Sequence, residues 1–498
     1  MQHATLAIVN GRVWGALPGV TAVALTGDRI AATGADAEIR AMTLPPARVL
    51  DAAGGSILPA FNDAHVHFLS ASCSLGELDL HGASSQVEVE HRIEDYAQRH
   101  AGPWVVGRGW FYSAFAGGMP TVELLDRLVP DRPAYIESFD AHTGWANSQA
   151  LRIAGAPTVD VLKESAMLVV TRRIPSRSRD EELEALSGGM RLATSRGIGS
   201  VQEAGGGLRQ LPLWESLLER GEMIVRVRLA FDMKPGLSMS DWGSRLAAYA
   251  EARRDRDPWI STGILKAFGD GVVESQTASL LEPYADGRDR GVPLWDGDEL
   301  AAAVRLADAQ GWQVQVHAIG DAAIRQALDA FEGATAGRRH RIEHIEAPAQ
   351  SDVARFAKLG VVASMQPQHA DVALTEVWRR NLGAPRSDRG WPWNSLAESG
   401  ARLAFGSDWP VVALDPFGGI AIATTRHRER LGLAQAVEAW TSGSAYAEHA
   451  ETLKGKLREG MLADVAVLDR DLATAPAGDV ASARVRATVV GGKVVYES

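Results

Sequence analysis

The stretch Ile57-Leu58-Pro59-Ala60-Phe61-Asn62-Asp63-Ala64-His65-Val66-His67 decides the fold, because an apolar run leads directly into two histidines separated by one residue. Side chains alternate between the two faces of a β-strand, so a strand over this run directs His65 and His67 to the same side. Two imidazoles in this arrangement can bind one divalent metal ion such as zinc. An isolated His-x-His is equally compatible with two unrelated polar residues in a loop, so the later chain has to decide.

Eight apolar, strand-like runs alternate with helical patterns along most of the chain. They cover residues 57–67, 199–203, 225–231, 262–268, 313–317, 340–344, 360–365 and 402–405, and helical patterns include residues 299–309 and 323–332. Eight parallel strands with crossover helices predict an α/β fold of the (β/α)8 TIM barrel type, whose reactive groups gather at the C-terminal strand ends. Residues from about 68 to 196 are too many for one βα unit, so we predict an insertion after barrel strand 1 that roofs the site.

Both ends of the chain carry short strand patterns with tight turns, such as Leu6 to Val9 before Asn10-Gly11 and Lys493 to Tyr496 after Gly491-Gly492. Neither end is long enough to fold alone. We therefore predict that residues 1–55 and 450–498 pair into one small β-sandwich domain, beside a barrel formed by residues 56–449. The alternative is that the two ends form separate additions to the barrel and do not pair with each other.

The composition is that of an ordinary globular protein. The 498 residues are 46% hydrophobic and 23% charged, and the net charge of −11 is spread without long like-charge blocks. This balance argues against a nucleic-acid or anionic-membrane surface. Cys73 is the only cysteine, no apolar run approaches the roughly 20 residues of a membrane helix, and residues 6–9 are too short for a secretory signal. We expect a cytoplasmic protein that contacts neither nucleic acid nor membrane.

Further candidate metal ligands follow the later strand-like runs. Lys266 lies within the fourth run, His317 and His344 end the fifth and sixth, and Asp408 follows the eighth. Taken singly, a structural role is the more common one: a lysine paired with a carboxylate, a core histidine, or an aspartate in a turn. Together with the His-x-His pair, however, they would meet at one rim of a barrel, which favours a metal site. Gln366 and His369, after the seventh run, are candidate substrate contacts or surface residues.

The pattern resembles the metal-dependent amidohydrolase superfamily, in particular its branch of YtcJ-like proteins and N-substituted formamide deformylases. The matching stretches follow the family's order along nearly the whole chain: residues 58–67, 266–271, 274–278, 317–321, 341–344, 364–367 and 406–410. Asp140-Ala141-His142 is similar to a family segment that usually reads Asp-Gly-His, which implies that His142 reaches the substrate pocket, although Ala141 departs from that pattern. A Gly-rich, acidic stretch that usually follows is shortened here.

The resemblance implies a centre of one or two divalent ions, zinc by preference. Of its ligands, Asp408 would complete the more buried ion, and Lys266, converted by CO2 to a carbamate, would bridge to the second. Asp63 and Asp321 are candidates to orient the histidines. The implied ligands are His65, His67 and Asp408 for the first ion, His317 and His344 for the second, and Lys266 between them.

The implied reaction is hydrolysis of a non-peptide C–N bond in a small molecule, an amide, N-substituted formamide or cyclic amide, by metal-bound hydroxide with Asp408 as catalytic acid–base. An esterase or lactonase on the same centre is the main alternative. A mononuclear deaminase is disfavoured, because such enzymes generally place a glutamate where this chain has Ala318-Ile319-Gly320. Candidates at every ligand position disfavour a non-catalytic barrel. The resemblance also suggests a homodimer, and the aromatic residues of the insertion, Trp110 among them, suggest an apolar group on the substrate.

Overall fold

The computed structural model describes residues 3–254 and 257–498, and it confirms the predicted barrel. Within these ranges, eight parallel strands form one sheet in which each strand pairs with the next in sequence order. We number them barrel strands 1 to 8: Phe61–Val66, Ile198–Glu203, Arg226–Asp232, Ile260–Phe268, Gln313–Gly320, Arg341–Ala347, Val362–Met365 and Leu403–Phe405.

Barrel strands 8 and 1 close the barrel at its C-terminal end. The Asp408 N–H donates to the His65 carbonyl at 2.7 Å, and the His67 N–H donates to the Trp409 carbonyl at 2.9 Å. Gly406 permits this approach, since a Cβ there would lie only 2.4 Å from the His65 backbone nitrogen. The seam between the first and the last strand is therefore drawn together at the point where the candidate ligands stand.

Helices cover the outside of the barrel. In Arg179–Ser195, the Ser178 hydroxyl caps the first turn and Leu183, Leu186 and Met190 recur on one face, which packs into the core. The other helices that follow barrel strands are Gly207–Glu219, Met239–Glu251, Glu299–Ala309, Asp321–Ala330, Gln350–Leu359, Glu376–Leu382, Ala384–Ser387, Trp393–Glu398, Pro416–Thr425, Leu433–Ala439 and Ser442–Ala447. In the part of the chain that the structure describes, no helix has the length and apolar character needed to cross a membrane.

Strands from the two ends of the chain form two small sheets that share a buried core containing Leu6, Ile8, Val23, Val465 and Val489. The first sheet has the order Arg29–Gly34, Ala22–Thr26, Ala4–Val9, Thr43–Asp51, with helix Asp36–Ala41 beside it. The second has the order Arg12–Val13, Ser56–Pro59, Val465–Leu468, Val485–Val490, Lys493–Glu497. The apolar run before the His-x-His pair is therefore divided, because Ser56–Pro59 pairs in this sheet and only Phe61–Val66 enters the barrel.

A separate five-stranded sheet, which we call the roof sheet, lies between barrel strands 1 and 2 in sequence. Its order is Leu162–Lys163, Thr143–Ala146, Ala134–Ser138, Val105–Trp110, Leu78–Asp79. Helices Gln86–Arg99, Val122–Leu128, Ser148–Ala154 and Leu168–Thr171 accompany it. Helices Phe68–Ser74 and Arg179–Ser195 instead contribute to the barrel core, so the inserted unit is shorter at both ends than residues 68–196.

Candidate metal centre

The ends of barrel strands 1 and 8 bring His65, His67 and Asp408 together. Asp408 Oδ1 lies 3.5 Å from His65 Nε2 and 3.4 Å from His67 Nε2, and one ligand atom from each residue lies within 4.8 Å of the others. In a tetrahedral zinc site with bonds of about 2.1 Å, neighbouring ligand atoms are about 3.4 Å apart. The spacing of these three side chains is therefore that of donors around a single ion.

A second set of possible ligands uses the other side of the same carboxylate. Asp408 Oδ2 lies 3.9 Å from His344 Nδ1 and 3.7 Å from His369 Nε2. His344 Nδ1, His369 Nε2 and Asp408 Oδ1 are buried and have no hydrogen-bond partner among the described residues. Buried polar atoms are normally paired, so three unpaired ligand-type atoms in one place fit a bound cation. His369, which the sequence suggested as a substrate contact, thus stands among the candidate ligands.

Lys266 and His317 lie at the same centre without belonging to either set. Lys266 Nζ is 3.4 Å from His65 Nε2, and burial lowers the pKa of Lys266 to about 8. An uncharged amine is the form that reacts with CO2, so this environment suits a carbamate. The His317 ring lies 4.4 Å from that of His344, and its Nε2 donates to the Gly271 carbonyl at 3.2 Å, so Nδ1 is the nitrogen without a hydrogen bond among the described residues.

Two of the candidate ligands, His344 and Asp408, have strained backbone conformations. His344, Ile345 and Asp408 have φ angles of 73°, 53° and 62°, in the left-handed region that non-glycine residues seldom adopt. The pairing of barrel strands 5 and 6 also contains an extra residue after His344. Regular alternation would place Glu343 inside the barrel and His344 outside. The irregular backbone lets both side chains reach the centre.

Glu343 is the buried partner that orients His65, and sequence reasoning missed it. One of its carboxylate oxygens accepts from His65 Nδ1 at 2.6 Å, and the other accepts from Arg341 Nε at 2.9 Å. Asp63 and Asp321, expected in this role, form no hydrogen bond to an imidazole of the described residues: Asp63 accepts from backbone N–H groups, including that of Ser407 at 2.9 Å, and Asp321 accepts from that of Leu281 at 2.8 Å. The sequence did contain one signal for this role: Arg341 and Glu343 are two residues apart in a strand-like run, so both side chains are expected on the same face, just before His344.

Electrostatics favour the ligand forms of three candidate histidines, whereas for His369 the effect of burial is outweighed by the hydrogen bond to Glu346, which raises the pKa of His369. Burial holds the pKa values of His65, His317 and His344 well below the usual range, so these imidazoles are neutral and can donate a lone pair. Burial also raises the pKa of Asp408 to about 6, close enough to neutrality for a group that accepts and returns a proton.

A cavity of about 680 Å³ opens above the ligands. Five candidate ligands line its floor, namely His67, His317, His344, His369 and Asp408, and the roof sheet and the segment after it supply a polar wall. Leu168, Phe268 and Leu294 line the cavity and are still 46%, 40% and 41% exposed, so an apolar margin surrounds the polar interior. The polar wall consists of Arg108, Glu137, Asp140, His142 and Glu164.

Two predicted substrate contacts do not line this cavity. Trp110 is fully buried in the core of the roof sheet, where its Nε1 donates to the Ile136 carbonyl at 3.1 Å, so the prediction for Trp110 is corrected: it is a packing residue. Gln366 is 1% exposed, and both polar atoms of its amide lack a partner among the described residues. His142 and His369 do line the cavity.

A parallel barrel with imidazoles and carboxylates converging at the C-terminal strand ends has the architecture of a metal-dependent hydrolase. The sequence model of the amidohydrolase family matches residues 48–496, and the chain belongs to that family. Members of the family depend on metal, and the two sets of His and Asp side chains are the candidate ligands here. The resemblance found in the motifs is thus confirmed.

Relatives are similar along nearly their whole length. Protein LONG AFTER FAR-RED 3 from Arabidopsis thaliana is 29% identical over 99% of this chain and 92% of its own. The putative amidohydrolase YtcJ from Bacillus subtilis is 27% identical over 89% of each chain. The N-substituted formamide deformylase from Arthrobacter pascens is 24% identical over 96% of this chain and 95% of its own. A solved structure of an uncharacterised metal-dependent hydrolase from Pyrococcus horikoshii has a TM-score of 0.78 at 24% identity, covering 95% of this chain and 99% of that one, which supports the fold.

Proposed function

We propose that the protein hydrolyses a C–N bond in a small-molecule amide, N-substituted formamide or cyclic amide, and that one or two divalent ions, zinc by preference, assist the reaction. The observation that carries this proposal is the group of buried, unpartnered ligand atoms on His344, His369 and Asp408 at the floor of the cavity. The similarity to an enzyme named N-substituted formamide deformylase supports the substrate class.

The residues that would hold metal divide around Asp408. His65 and His67 face one of its oxygens, and His344 and His369 face the other. A divalent ion held there acts as a Lewis acid on the substrate carbonyl and lowers the pKa of water to about 7. Lys266, converted to a carbamate, and His317, through Nδ1, would be further ligands.

The chain's own residues account for proton movement and orientation. Asp408 accepts a proton from the attacking water and returns it to the leaving nitrogen, so that the C–N bond breaks as the amine is released. Glu343 holds His65 by its Nδ1–H and thereby keeps Nε2 directed at the centre. The apolar margin of Leu168, Phe268 and Leu294 covers the substrate group next to the scissile bond and limits access of bulk water.

The first test is metal content per chain by elemental analysis, with bicarbonate present. We compare the wild type with Lys266→Ala and with a matched control, Lys493→Ala, at a largely exposed position of a terminal strand. Close to two ions in the wild type and the control, and fewer in Lys266→Ala, would support the carbamate-bridged centre. Close to one ion in all three would leave Lys266 without that role.

The substrate class is tested next with a panel of N-substituted formamides, acetamides and cyclic amides, each beside its matched ester or lactone. Release of amine by the metal-loaded wild type, and its loss in Asp408→Asn, is the expected result. Turnover of esters alone would replace the C–N assignment with an esterase or lactonase. A wild type that retains no divalent ion would remove the basis of the proposal.

A further inference from the structure

We propose that His142 is a second catalytic residue, which donates a hydrogen bond from Nε2 to the substrate oxygen that becomes negative when the carbonyl carbon is attacked, and that Glu164 is its positioning residue. The proposal rests on the proposed function and adds the side chain that faces the ligands from the roof. His142 lines the cavity with His67, His317 and Asp408, and its ring centroid lies 6.1 Å from that of His317. It therefore stands on the side of the centre formed by barrel strands 5 and 6.

Glu164 holds His142 at two points. Both carboxylate oxygens lie 3.0 Å from His142 Nδ1, and the Glu164 backbone N–H donates to the His142 carbonyl at 3.2 Å. The two residues are extensions of neighbouring antiparallel strands, in which Thr143 pairs with Lys163. The position of the imidazole is thus fixed by a β-ladder and a carboxylate together, rather than by a loop.

The contacts that position His142 extend from the roof sheet to the loop after barrel strand 4. A Cβ added at Gly271, in the loop after barrel strand 4, would lie 2.8 Å from Glu164 Oε1, so the carboxylate packs directly on that loop. The Gly271 carbonyl in turn accepts from His317 Nε2 at 3.2 Å. Ala141 and Glu164 have φ angles of 60° and 50°, and strain of this kind persists where the surroundings demand one conformation.

The second ring nitrogen of His142 is available to a cavity occupant, because His142 lines the cavity. Among the described residues no hydrogen bond uses His142 Nε2, while Nδ1 faces a carboxylate. Burial lowers the pKa of His142, but the Glu164 carboxylate at Nδ1, together with Asp140 and Asp270 near the ring, outweighs burial and raises this pKa above its usual value, which favours the form with a proton on both nitrogens. Nε2–H is then a preorganised, charge-assisted donor at the cavity wall.

The chemical consequence follows from where charge develops. Attack of water on an amide carbon moves negative charge onto the carbonyl oxygen, and a donor already aimed at that oxygen stabilises the transition state more than the substrate. No covalent bond to His142 forms or breaks in this role. Loss of one such donor typically lowers kcat by about 100- to 1000-fold.

The test compares His142→Asn, Glu164→Gln and Glu164→Asp, with Glu88→Gln as a control. Glu88 also belongs to the inserted unit but pairs with Arg92 on an exposed helix. On the best amide of the panel we expect kcat to fall about 100-fold in His142→Asn with KM changed less than about threefold. We expect a fall of about tenfold in Glu164→Gln, partial recovery in Glu164→Asp, and no change in the control.

Two readouts do not depend on turnover. Calorimetry with the metal-loaded protein measures the binding of phenylphosphonate, whose tetrahedral oxygens resemble the charged intermediate, and we expect at least tenfold weaker binding by His142→Asn. Nitrogen-15 NMR of histidine-labelled protein should show both His142 nitrogens protonated in the wild type and one in Glu164→Gln, with metal content unchanged.

Each part of the proposal has its own refutation. A raised KM with unchanged kcat in His142→Asn would make the contact one of ordinary substrate binding. Equal phosphonate affinity of wild type and His142→Asn, or no binding to the wild type, would overturn the role at the oxygen. If no amide is turned over but the phosphonate and NMR results are as expected, the substrate class fails while the role of His142 stands.

Discussion

Replacing Glu343 with glutamine should weaken metal binding without unfolding the protein. The Glu343 carboxylate accepts from two donors at once, His65 Nδ1 at 2.6 Å and Arg341 Nε at 2.9 Å, and none of its side chain is exposed. A glutamine amide has one oxygen and one NH2 group, so one of the two donors would face another donor. The variant therefore retains the volume of the side chain and loses the arrangement that holds His65.

The expected size of the effect follows from two terms. Removal of a partner that orients a metal-bound histidine lowers metal affinity by about 10- to 100-fold, or roughly 1.4–2.8 kcal/mol. The buried Arg341 guanidinium also loses its counter-charge, which should cost about 3 kcal/mol of folding free energy. Arg341 keeps its hydrogen bonds to the Ala64 carbonyl at 2.6 Å and to the Ser364 hydroxyl at 2.9 Å, so we expect a destabilised but folded variant.

Competition with a chromogenic chelator at neutral pH measures the zinc affinity, and circular dichroism checks the fold. Glu451→Gln is the matched control, because Glu451 also pairs with an arginine, Arg339, at 2.7 Å but lies outside the site. Its zinc affinity should equal that of the wild type. Wild-type zinc affinity in a folded Glu343→Gln protein would refute the reasoning that this carboxylate orients His65.

Three further changes test the strain, packing and protonation described above. Ala141→Gly should stabilise the protein by about 1 kcal/mol in urea unfolding, because φ at Ala141 is 60°, whereas Ala150→Gly within helix Ser148–Ala154 should destabilise it by about 1 kcal/mol. Gly406→Ala should lower the free energy of unfolding by about 1–3 kcal/mol and lower the metal content, because the new Cβ would lie 2.4 Å from the His65 backbone nitrogen. Gly243→Ala is the control: its Cβ would meet nothing within 4 Å, so neither the stability nor the metal content should fall. Burial lowers the pKa of His340 to about 4, so below pH 6.5 the unfolded chain binds a proton that the folded chain does not. The free energy of unfolding should therefore fall by about 3 kcal/mol between pH 6.5 and pH 4. His340→Gln should make the free energy of unfolding less dependent on pH in this range.

The barrel was predictable because its strands are buried on both sides and therefore appear as continuous apolar runs. Period-two alternation also predicted that His65 and His67 reach one site, although the pairing of barrel strands 1 and 2 shifts register between Asp63 and Val66. The contribution of Ser56–Pro59 to another sheet was not predictable, because a strand that leaves one sheet and enters the next carries the same apolar signal in both.

The parts of the site that escaped prediction depend on features without a local signal. Glu343 and His344 both reach the centre only because an extra residue and two positive φ angles interrupt barrel strand 6. His369 joins the ligands through the fold of the segment after strand 7, which no period describes. Trp110 supplies a core for the inserted sheet, and composition alone does not separate an aromatic residue that packs from one that binds.

The division of the ligands between the first and the last barrel strand has a consequence for biosynthesis. Asp408 is about 340 residues further along the chain than His65. At about 5–20 residues per second, the two histidines are synthesised roughly 20–70 s before Asp408. During that interval the nascent chain offers a two-imidazole site without the carboxylate that completes it, and such a site discriminates poorly among first-row transition metals. Selection of an ion by this candidate site would therefore fall at the end of translation, when the seam of the barrel closes.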